Sequence, residues 1–104
     1  MTSDFPLNFF KFINPDFKEN LYTKDEIQNL YWMIAMQLTK DEITIMEYRF
    51  IMNKTPENME KLFDESWEYA KTAKDIENRL DEIRQKIRND GSLIIKLERG
   101  KKEV

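Results

Sequence analysis

The chain contains almost none of the residues that interrupt helices. Its 104 residues include two glycines and three prolines, and neither type occurs between Pro56 and Gly91. Hydrophobic side chains make up 40% of the chain and charged side chains 36%, a balance that favours amphipathic helices over sheet. We therefore expect a mostly all-α fold, a compact helical bundle formed by a single domain over residues 1–104.

Two helices have clear start signals in the sequence. The tetrapeptide Thr-Lys-Asp-Glu occurs twice, beginning at Thr23 and at Thr39. A hydroxyl followed three residues later by a carboxylate is the capping-box pattern that begins many helices. The first copy predicts a helix over residues 24–37, and the second predicts one over residues 40–52. Apolar residues surround the second half of the first helix, which is typical of a central, buried helix.

The composition divides the chain into an aromatic N-terminal segment, a helical core and a C-terminal flap or tail: residues 1–22, 23–89 and 90–104. Pro6 favours a short helix that ends at Ile13, because proline is tolerated at the first helical position. A strand over residues 7–13 is the alternative. Residues 92–98 are interpreted either as a strand that pairs with this segment or as an apolar flap on the helices.

Beyond Pro56 the sequence permits two interpretations. Thr55 and Pro56 begin a helix, as its cap and its first helical residue. An apolar seam then advances by alternating steps of three and four, with one polar member: Met59, Leu62, Ser66, Tyr69, Ala73, Ile76, Leu80, Ile83 and Ile87. As one long helix to Asn89, the seam would form a helical hairpin or a homodimer. Alternatively, the helix breaks at residues 64–66 and Ser66 caps a second helix.

The composition disfavours several classes of function. The chain has no cysteine and no histidine, which excludes disulfides, zinc sites built from those residues, a cysteine nucleophile and a histidine base. Its close carboxylate pairs lie beside lysines on amphipathic helices, without a glycine-rich phosphate loop, so we expect neither an enzyme nor a cofactor. The longest uncharged apolar run, residues 30–36, is too short to span a bilayer, and the N-terminus carries no secretory pattern. We therefore expect a cytoplasmic protein without membrane contact.

A spaced motif occupies residues 38–50: Leu38-Thr39, then Glu42, Ile45 and Tyr48-Arg49-Phe50. Together with the helix start at Thr55 and the periodic residues up to Arg88, it resembles DNA-binding region 4 of sigma-70-type factors. It is also similar to the small phage and Firmicute transcription regulators built on that module. The resemblance implies a helix-turn-helix that binds promoter DNA, RNA polymerase or both, with Ser66 capping a recognition helix over residues 66–75.

The resemblance also assigns candidate DNA contacts. Lys71 and Lys74 lie on the implied recognition helix, and four cations on its extension would reach the phosphate backbone: Arg79, Arg84, Lys86 and Arg88. Residues 79–104 carry eight basic and five acidic side chains, whereas residues 1–78 carry nine and fifteen, so only the end of the chain is basic. The alternative for these cations is ordinary exposed charge, paired with acids one helical turn away.

A second hypothesis begins with the acidic residues around Trp67. A dense negative band with only Lys61 among its members is formed by Glu57, Glu60, Asp64, Glu65 and Glu68. Such a band would imitate phosphate spacing and occupy a basic groove on another protein, as a phage-encoded inhibitor of a host protein would. Trp67 would anchor the contact, because tryptophan is enriched in interface hot spots. In this hypothesis the chain is a small acidic helical interaction protein that does not bind DNA; the alternative is a solvated helix face with Trp67 in the core.

Overall fold

A computed structural model describes residues 5–63 and 66–98, and over those residues the chain is helical without strands. The all-α prediction is therefore confirmed. The six α-helices are α1 (Phe5–Ile13), α2 (Lys24–Ala35), α3 (Lys40–Met46), α4 (Pro56–Leu62), α5 (Ala73–Arg88) and α6 (Gly91–Leu97). A 3₁₀ turn precedes α2 and a π-helix follows α3, at Glu19–Leu21 and Glu47–Ile51.

Both predicted capping boxes are present. Before α2, the Thr23 hydroxyl accepts a hydrogen bond from the Glu26 backbone N–H at 3.1 Å, and the Glu26 carboxylate accepts from the Thr23 N–H at 2.9 Å. Thr39 and Glu42 repeat the arrangement before α3, at 3.2 and 2.8 Å. Each box satisfies two N–H groups that a helix start would leave without a partner, which is why both predicted starts are correct.

The predicted helix ends were less accurate. The first helix ends at Ala35 rather than at residue 37. The predicted helix over residues 40–52 is wrong as one α-helix, because it widens into the π-helix after Met46. There the Met52 N–H donates to the Glu47 carbonyl at 3.1 Å, five residues back. Asn53 follows with a φ of 57°, a left-handed conformation that asparagine tolerates and that ends the helix.

The single long helix beyond Pro56 is also wrong. Helix α4 begins after its Thr55 cap as predicted, and it ends at Leu62 because Phe63 adopts an extended conformation with a ψ of 146°. The predicted cap at Ser66 is wrong as well, since α5 begins only at Ala73. Thr72 caps α5, with its hydroxyl accepting from the Asp75 N–H at 3.1 Å and the Asp75 carboxylate accepting from the Thr72 N–H at 3.2 Å.

Each terminal segment contains an α-helix among its described residues. The helix that ends at Ile13 is confirmed, and the strand alternative for residues 7–13 is wrong. The strand interpretation of residues 92–98 is also wrong, because α6 begins at an Asp90 cap whose carboxylate accepts from the Ser92 N–H at 3.1 Å. The segment packs on α2 instead, as the flap alternative expected. Leu93 and Leu97, four residues apart, are both buried, which is the spacing of a helix face. The rest of the predicted tail, residues 99–104, lies outside the described residues.

The chain forms two compact units, residues 1–37 with 84–104, called unit 1, and residues 38–83, called unit 2. Unit 1 packs α1 and α6 against α2. Its core contains Phe9, Phe10, Ile13, Phe17, Leu30, Ile34, Ile87, Leu93 and Leu97. The buried Asn14 side chain is satisfied because its Nδ2 donates to the Leu97 carbonyl at 2.9 Å. The Tyr22 hydroxyl donates to the Lys96 carbonyl, which ties the segment before α2 to α6.

Unit 2 is built around α3, the π-helix, α4 and the first part of α5. Its buried apolar residues are Leu38, Ile45, Met46, Phe50, Met59, Ala70, Ile76, Leu80 and Ile83. Several of these belong to the apolar seam that the sequence offers as a dimer contact. The seam predicted as a homodimer contact is mostly covered within the chain, since its buried members are Met59, Ile76, Leu80, Ile83 and Ile87. Within the described ranges, no helix is both long and apolar enough to cross a membrane.

Candidate interaction surfaces

An aromatic cluster holds the non-helical segment between α4 and α5. The Phe63 ring lies 4.9 Å from the Tyr48 ring and 4.7 Å from the Trp67 ring, measured between centroids, with edge-on geometry in both pairs. The Trp67 Nε1–H donates to an Asp41 carboxylate oxygen at 3.2 Å. Trp67 is half-buried and fully engaged in this cluster, so it stabilises unit 2 and is a poor candidate for the exposed anchor that the sequence suggested.

Tyr69 extends the cluster and carries a polar atom without a partner. Its hydroxyl is buried, and no group in the described residues hydrogen-bonds to it. The pKa of Tyr69 is raised to about 12, chiefly by burial of the hydroxyl and also by the nearby Glu42 carboxylate, whereas the Arg79 guanidinium opposes the rise in part. A buried hydroxyl without a hydrogen bond costs about 1–3 kcal/mol, so this position is a weak point in the packing of unit 2.

The predicted DNA contacts in unit 2 are mostly engaged within the chain. The Arg79 guanidinium lies 4.2 Å from the Tyr69 ring centroid, its Nε–H donates to the Tyr69 carbonyl at 2.9 Å, and its Nη1 donates to Glu82 at 3.0 Å. Lys71 pairs with Glu68, with 3.7 Å between the charged atoms. Lys74 is exposed in the first turn of α5. Of these three cations, Arg79 is the least available to a phosphate group.

The three predicted DNA-contact residues in unit 1 also interact within the chain: two donate to carbonyls at or just beyond helix ends, and the third lies over an aromatic ring. Arg88 Nη1 donates to the carbonyl of Ile13, the last residue of α1, at 2.7 Å. Lys86 Nζ donates to the Gln37 carbonyl at 3.3 Å, just beyond α2. The Arg84 guanidinium lies 5.2 Å from the Phe12 ring centroid. Cations at the C-terminal ends of helices stabilise unpaired carbonyl groups, so Lys86 and Arg88 have a structural role that the sequence alone did not indicate.

The acidic residues of unit 2 are largely on its surface. Glu57, Glu60 and Glu68 are exposed, whereas Asp64 and Glu65 lie outside the described residues. One of the exposed acids also supports the fold, because a Glu60 carboxylate oxygen accepts from the Ala73 N–H at 2.6 Å, at the start of α5. Residues 38–83 contain seven basic and twelve acidic side chains, which gives unit 2 a net charge of −5. Unit 1 carries the opposite balance, +2.

A shallow cleft of about 320 Å³ lies on the acidic side of unit 2. It is lined by Glu68, Tyr69, Asp75, Asn78, Arg79 and Glu82. The pKa of Asp75 is lowered because the backbone N–H groups of Lys71 and Thr72 donate to its carboxylate. Asp75 therefore stays negatively charged at neutral pH, and the cleft's single cation, Arg79, already contacts a ring and a carboxylate.

One exposed surface was missed by the sequence analysis. The second half of α2 was expected to be buried on all sides, and this prediction is wrong: Trp32, Met33 and Met36 are 55%, 37% and 81% exposed. With Asn29 they follow the i, i+3, i+4, i+7 spacing of one helix face, here called the outward face of α2. A separate face of α2 carries Ile27, Leu30 and Ile34 and packs inward. This spacing is the signal that could have shown that the helix has two distinct apolar faces.

A second cleft adjoins the outward face of α2. Its volume is about 230 Å³, and Tyr22, Glu26, Asn29, Leu30, Met33 and Lys96 line it. Asn29 and Met33 belong both to this cleft and to the outward face. The arrangement places a recess and projecting apolar side chains on one helix of unit 1.

Comparisons with protein-family models, with curated proteins and with solved structures give no match to this chain. Among the residues that the structure describes, no group of three or more acidic side chains is arranged to hold a metal ion.

Proposed function

We propose that this chain is a small helical interaction protein that binds a basic surface of another protein through unit 2. The acidic surface that carries the proposal consists of exposed residues: Glu57, Glu60, Glu68, Glu77, Asp81 and Glu82. The central observation is the net charge of −5 in unit 2, whose cations Lys71 and Arg79 are paired with acids of the same unit. Such a surface attracts a basic partner and increases the rate of encounter.

The same charge works against DNA binding. Phosphate contacts supply most of the non-specific affinity for DNA, and they require cations that face solvent. In unit 2, exposed acids outnumber exposed cations, and Arg79 is held by a ring, a carbonyl and a carboxylate. A protein with a surface that ordinarily receives phosphate groups is therefore a better partner than a nucleic acid, which agrees with the hypothesis of an inhibitor of a host protein.

A labelled oligoarginine peptide would test this proposal directly. We expect Glu57→Lys with Glu77→Lys to weaken peptide binding at low salt by about tenfold or more, because close charge pairs contribute strongly to association. The matched control is Asp16→Lys with Glu19→Lys, which changes the net charge equally but lies in unit 1. Equal losses in both double variants would show that binding follows net charge alone, and would overturn the assignment of the surface to unit 2.

One observation favours the region 4-like regulator as a second candidate. The chain does break between α4 and α5, and α5 starts with a capped turn that exposes Lys74. However, residues 63–72 connect the helices, whereas a helix-turn-helix joins its helices by about three or four residues. In this candidate, Lys71 and Lys74 contact promoter DNA, or unit 2 contacts RNA polymerase. Lys71→Glu with Lys74→Glu would abolish DNA binding, and unchanged binding would contradict the assignment.

A further inference from the structure

Helix α2 has two apolar faces, and only one of them is covered within unit 1. Leu30 and Ile34 are buried, whereas Trp32, Met33 and Met36 face solvent. No charged residue occurs from Ile27 to Leu38. A helix that is apolar on all sides is ordinarily buried on all sides, so the outward face of α2 lacks a cover.

We infer that a second copy of this chain covers the outward face of α2, by an antiparallel pairing of the two α2 helices about a two-fold axis. Two-fold dimers are the commonest assemblies of identical chains, and each of their interfaces brings the same surface of both copies together. Such a surface must be self-complementary, with a projection and a recess at matching distances from the axis. This inference goes beyond the proposed function, because it concerns unit 1 and not the acidic surface.

The outward face of α2 has that self-complementary form. Met36, at 81% exposure, is the projection, and the cleft beside Asn29 and Met33 is the recess. Seven residues separate Met36 from Asn29, about 10 Å along a helix. A two-fold axis at Trp32 and Met33 then places Met36 of each copy against the partner's cleft and each Trp32 against the partner's Met33.

The exposed apolar area is sufficient for a weak dimer. Leu21 and Ile95 are also exposed, and they adjoin the cleft residues Tyr22 and Lys96 in the chain. Taking about 200 Å² for a fully exposed large apolar side chain, the five exposed side chains leave about 500 Å² uncovered on one copy. A symmetric pair would bury about 1,000 Å², which is the lower limit for a specific interface.

Charge also permits the pairing. The outward face of α2 is uncharged at Asn29, Trp32, Met33 and Met36, and the cleft is bordered by one acid and one cation, Glu26 and Lys96. Two copies therefore meet without a concentration of like charges. By contrast, two acidic surfaces of unit 2 would repel each other.

Sedimentation velocity over a concentration series would test the dimer. We expect the wild-type chain to pass from monomer to dimer as its concentration rises through the micromolar range, as an interface of this size predicts. Met36→Lys should remain monomeric, and it should fold normally because lysine is favoured near the C-terminal end of a helix. Met52→Lys, which alters an exposed methionine in unit 2, is the matched control and should dimerise like the wild type. A wild-type monomer at all concentrations, or equal effects of both variants, would overturn the inference.

Disulfide cross-linking would test the register, because the natural chain has no cysteine. Asn29→Cys mixed with Met36→Cys should give a mixed disulfide dimer under mild oxidation, since the pairing places residue 29 of one copy against residue 36 of the other. Asn29→Cys mixed with Met52→Cys should give far less. Equal yields in the two mixtures would contradict the pairing. A wild-type chain that binds oligoarginine normally but stays monomeric at all concentrations would overturn this inference and leave the proposed function intact.

Discussion

Arg79 and Arg88 lie nine residues apart on the same helix, yet the two units use them differently. In unit 2, Arg79 contacts the Tyr69 ring and Glu82, which neutralises part of an acidic surface. In unit 1, Arg88 donates to the carbonyl of Ile13 and closes the end of α1. Each guanidinium already donates to a backbone carbonyl within the chain. The comparison shows that a basic stretch of sequence predicts charge, whereas its use depends on the groups that the fold brings beside it.

The largest expected effect is on the free energy of unfolding, when a buried aromatic side chain of unit 1 is removed rather than an exposed one. Phe10 is fully buried, with its ring centroid 5.2 Å from that of Phe17, whereas Trp32 is 55% exposed. Phe10→Ala should reduce the free energy of unfolding by about 3–5 kcal/mol, and Trp32→Ala should change it by less than about 0.5 kcal/mol. Urea denaturation at low protein concentration measures both values. A large loss in the Trp32 variant would show that the outward face of α2 is covered within the chain.

A smaller effect concerns Tyr69 in unit 2. Burial raises its pKa from the ordinary 10.0 to about 12 in the folded chain, so the stability that depends on the neutral hydroxyl is fully present below pH 10 and is lost as the pH rises through 12. Tyr69→Phe should therefore remove this part of the alkaline loss of stability. At neutral pH it should stabilise the chain by about 1 kcal/mol, because a buried hydroxyl without a partner is removed.

The Tyr69 prediction has a control in unit 1. Tyr22→Phe removes a hydroxyl that donates to the Lys96 carbonyl, so it should destabilise the chain at neutral pH, by about 1 kcal/mol. Opposite signs for the two substitutions are the expected result of denaturation curves at pH 7. Destabilisation of similar size in both variants would mean that the Tyr69 hydroxyl has a hydrogen-bond partner after all.

The helix caps should contribute equally to the stability of both units. Thr23→Ala removes the cap of α2 and Thr72→Ala removes that of α5, and each should cost about 1 kcal/mol. Ser66→Ala should remove no helix cap, because Ser66 lies outside every helix in the described residues. Thermal unfolding followed by circular dichroism distinguishes the three variants. If Ser66→Ala were the costly change, α5 would begin earlier than Ala73.

The smallest expected effect is the difference in stability between alanine substitutions at the two ends of α5. Arg88→Ala should destabilise the chain by about 0.5–1 kcal/mol, because the Ile13 carbonyl loses its charged donor. Lys74→Ala should leave the stability unchanged within about 0.5 kcal/mol, because its side chain is exposed. The same urea assay measures both. Equal stabilities for these two variants would argue against a structural role for Arg88.

The start signals of the helices could be predicted from the sequence because they are local. The boxes at Thr23 and Thr39 involve residues three positions apart, and the Thr55 cap is equally local. The end of the helix after Met46 could not be predicted, because a π-helix and a left-handed Asn53 depend on how α3 packs within unit 2. The Thr72 cap is as local as the others, but the apolar seam running through it concealed the start of α5.

Much of the candidate site could not be predicted, because exposure depends on tertiary packing. The sequence predicted a dense set of acids that includes Glu57, Glu60 and Glu68, and these three side chains are exposed. It could not show that Trp67 donates to Asp41 or that Arg79 covers Tyr69, since these contacts join residues 26 and 10 positions apart. Nor could it show which of the two apolar faces of α2 meets the core.

The most direct test of the proposed function is fluorescence anisotropy of a labelled, mixed-sequence DNA duplex at about 50 mM salt, where phosphate contacts are strong. Our account predicts no binding by the wild-type chain, in contrast to its binding of oligoarginine under the same conditions. DNA binding that weakens steeply with added salt, and that disappears in Lys71→Glu with Lys74→Glu, would contradict the account and support the region 4-like regulator.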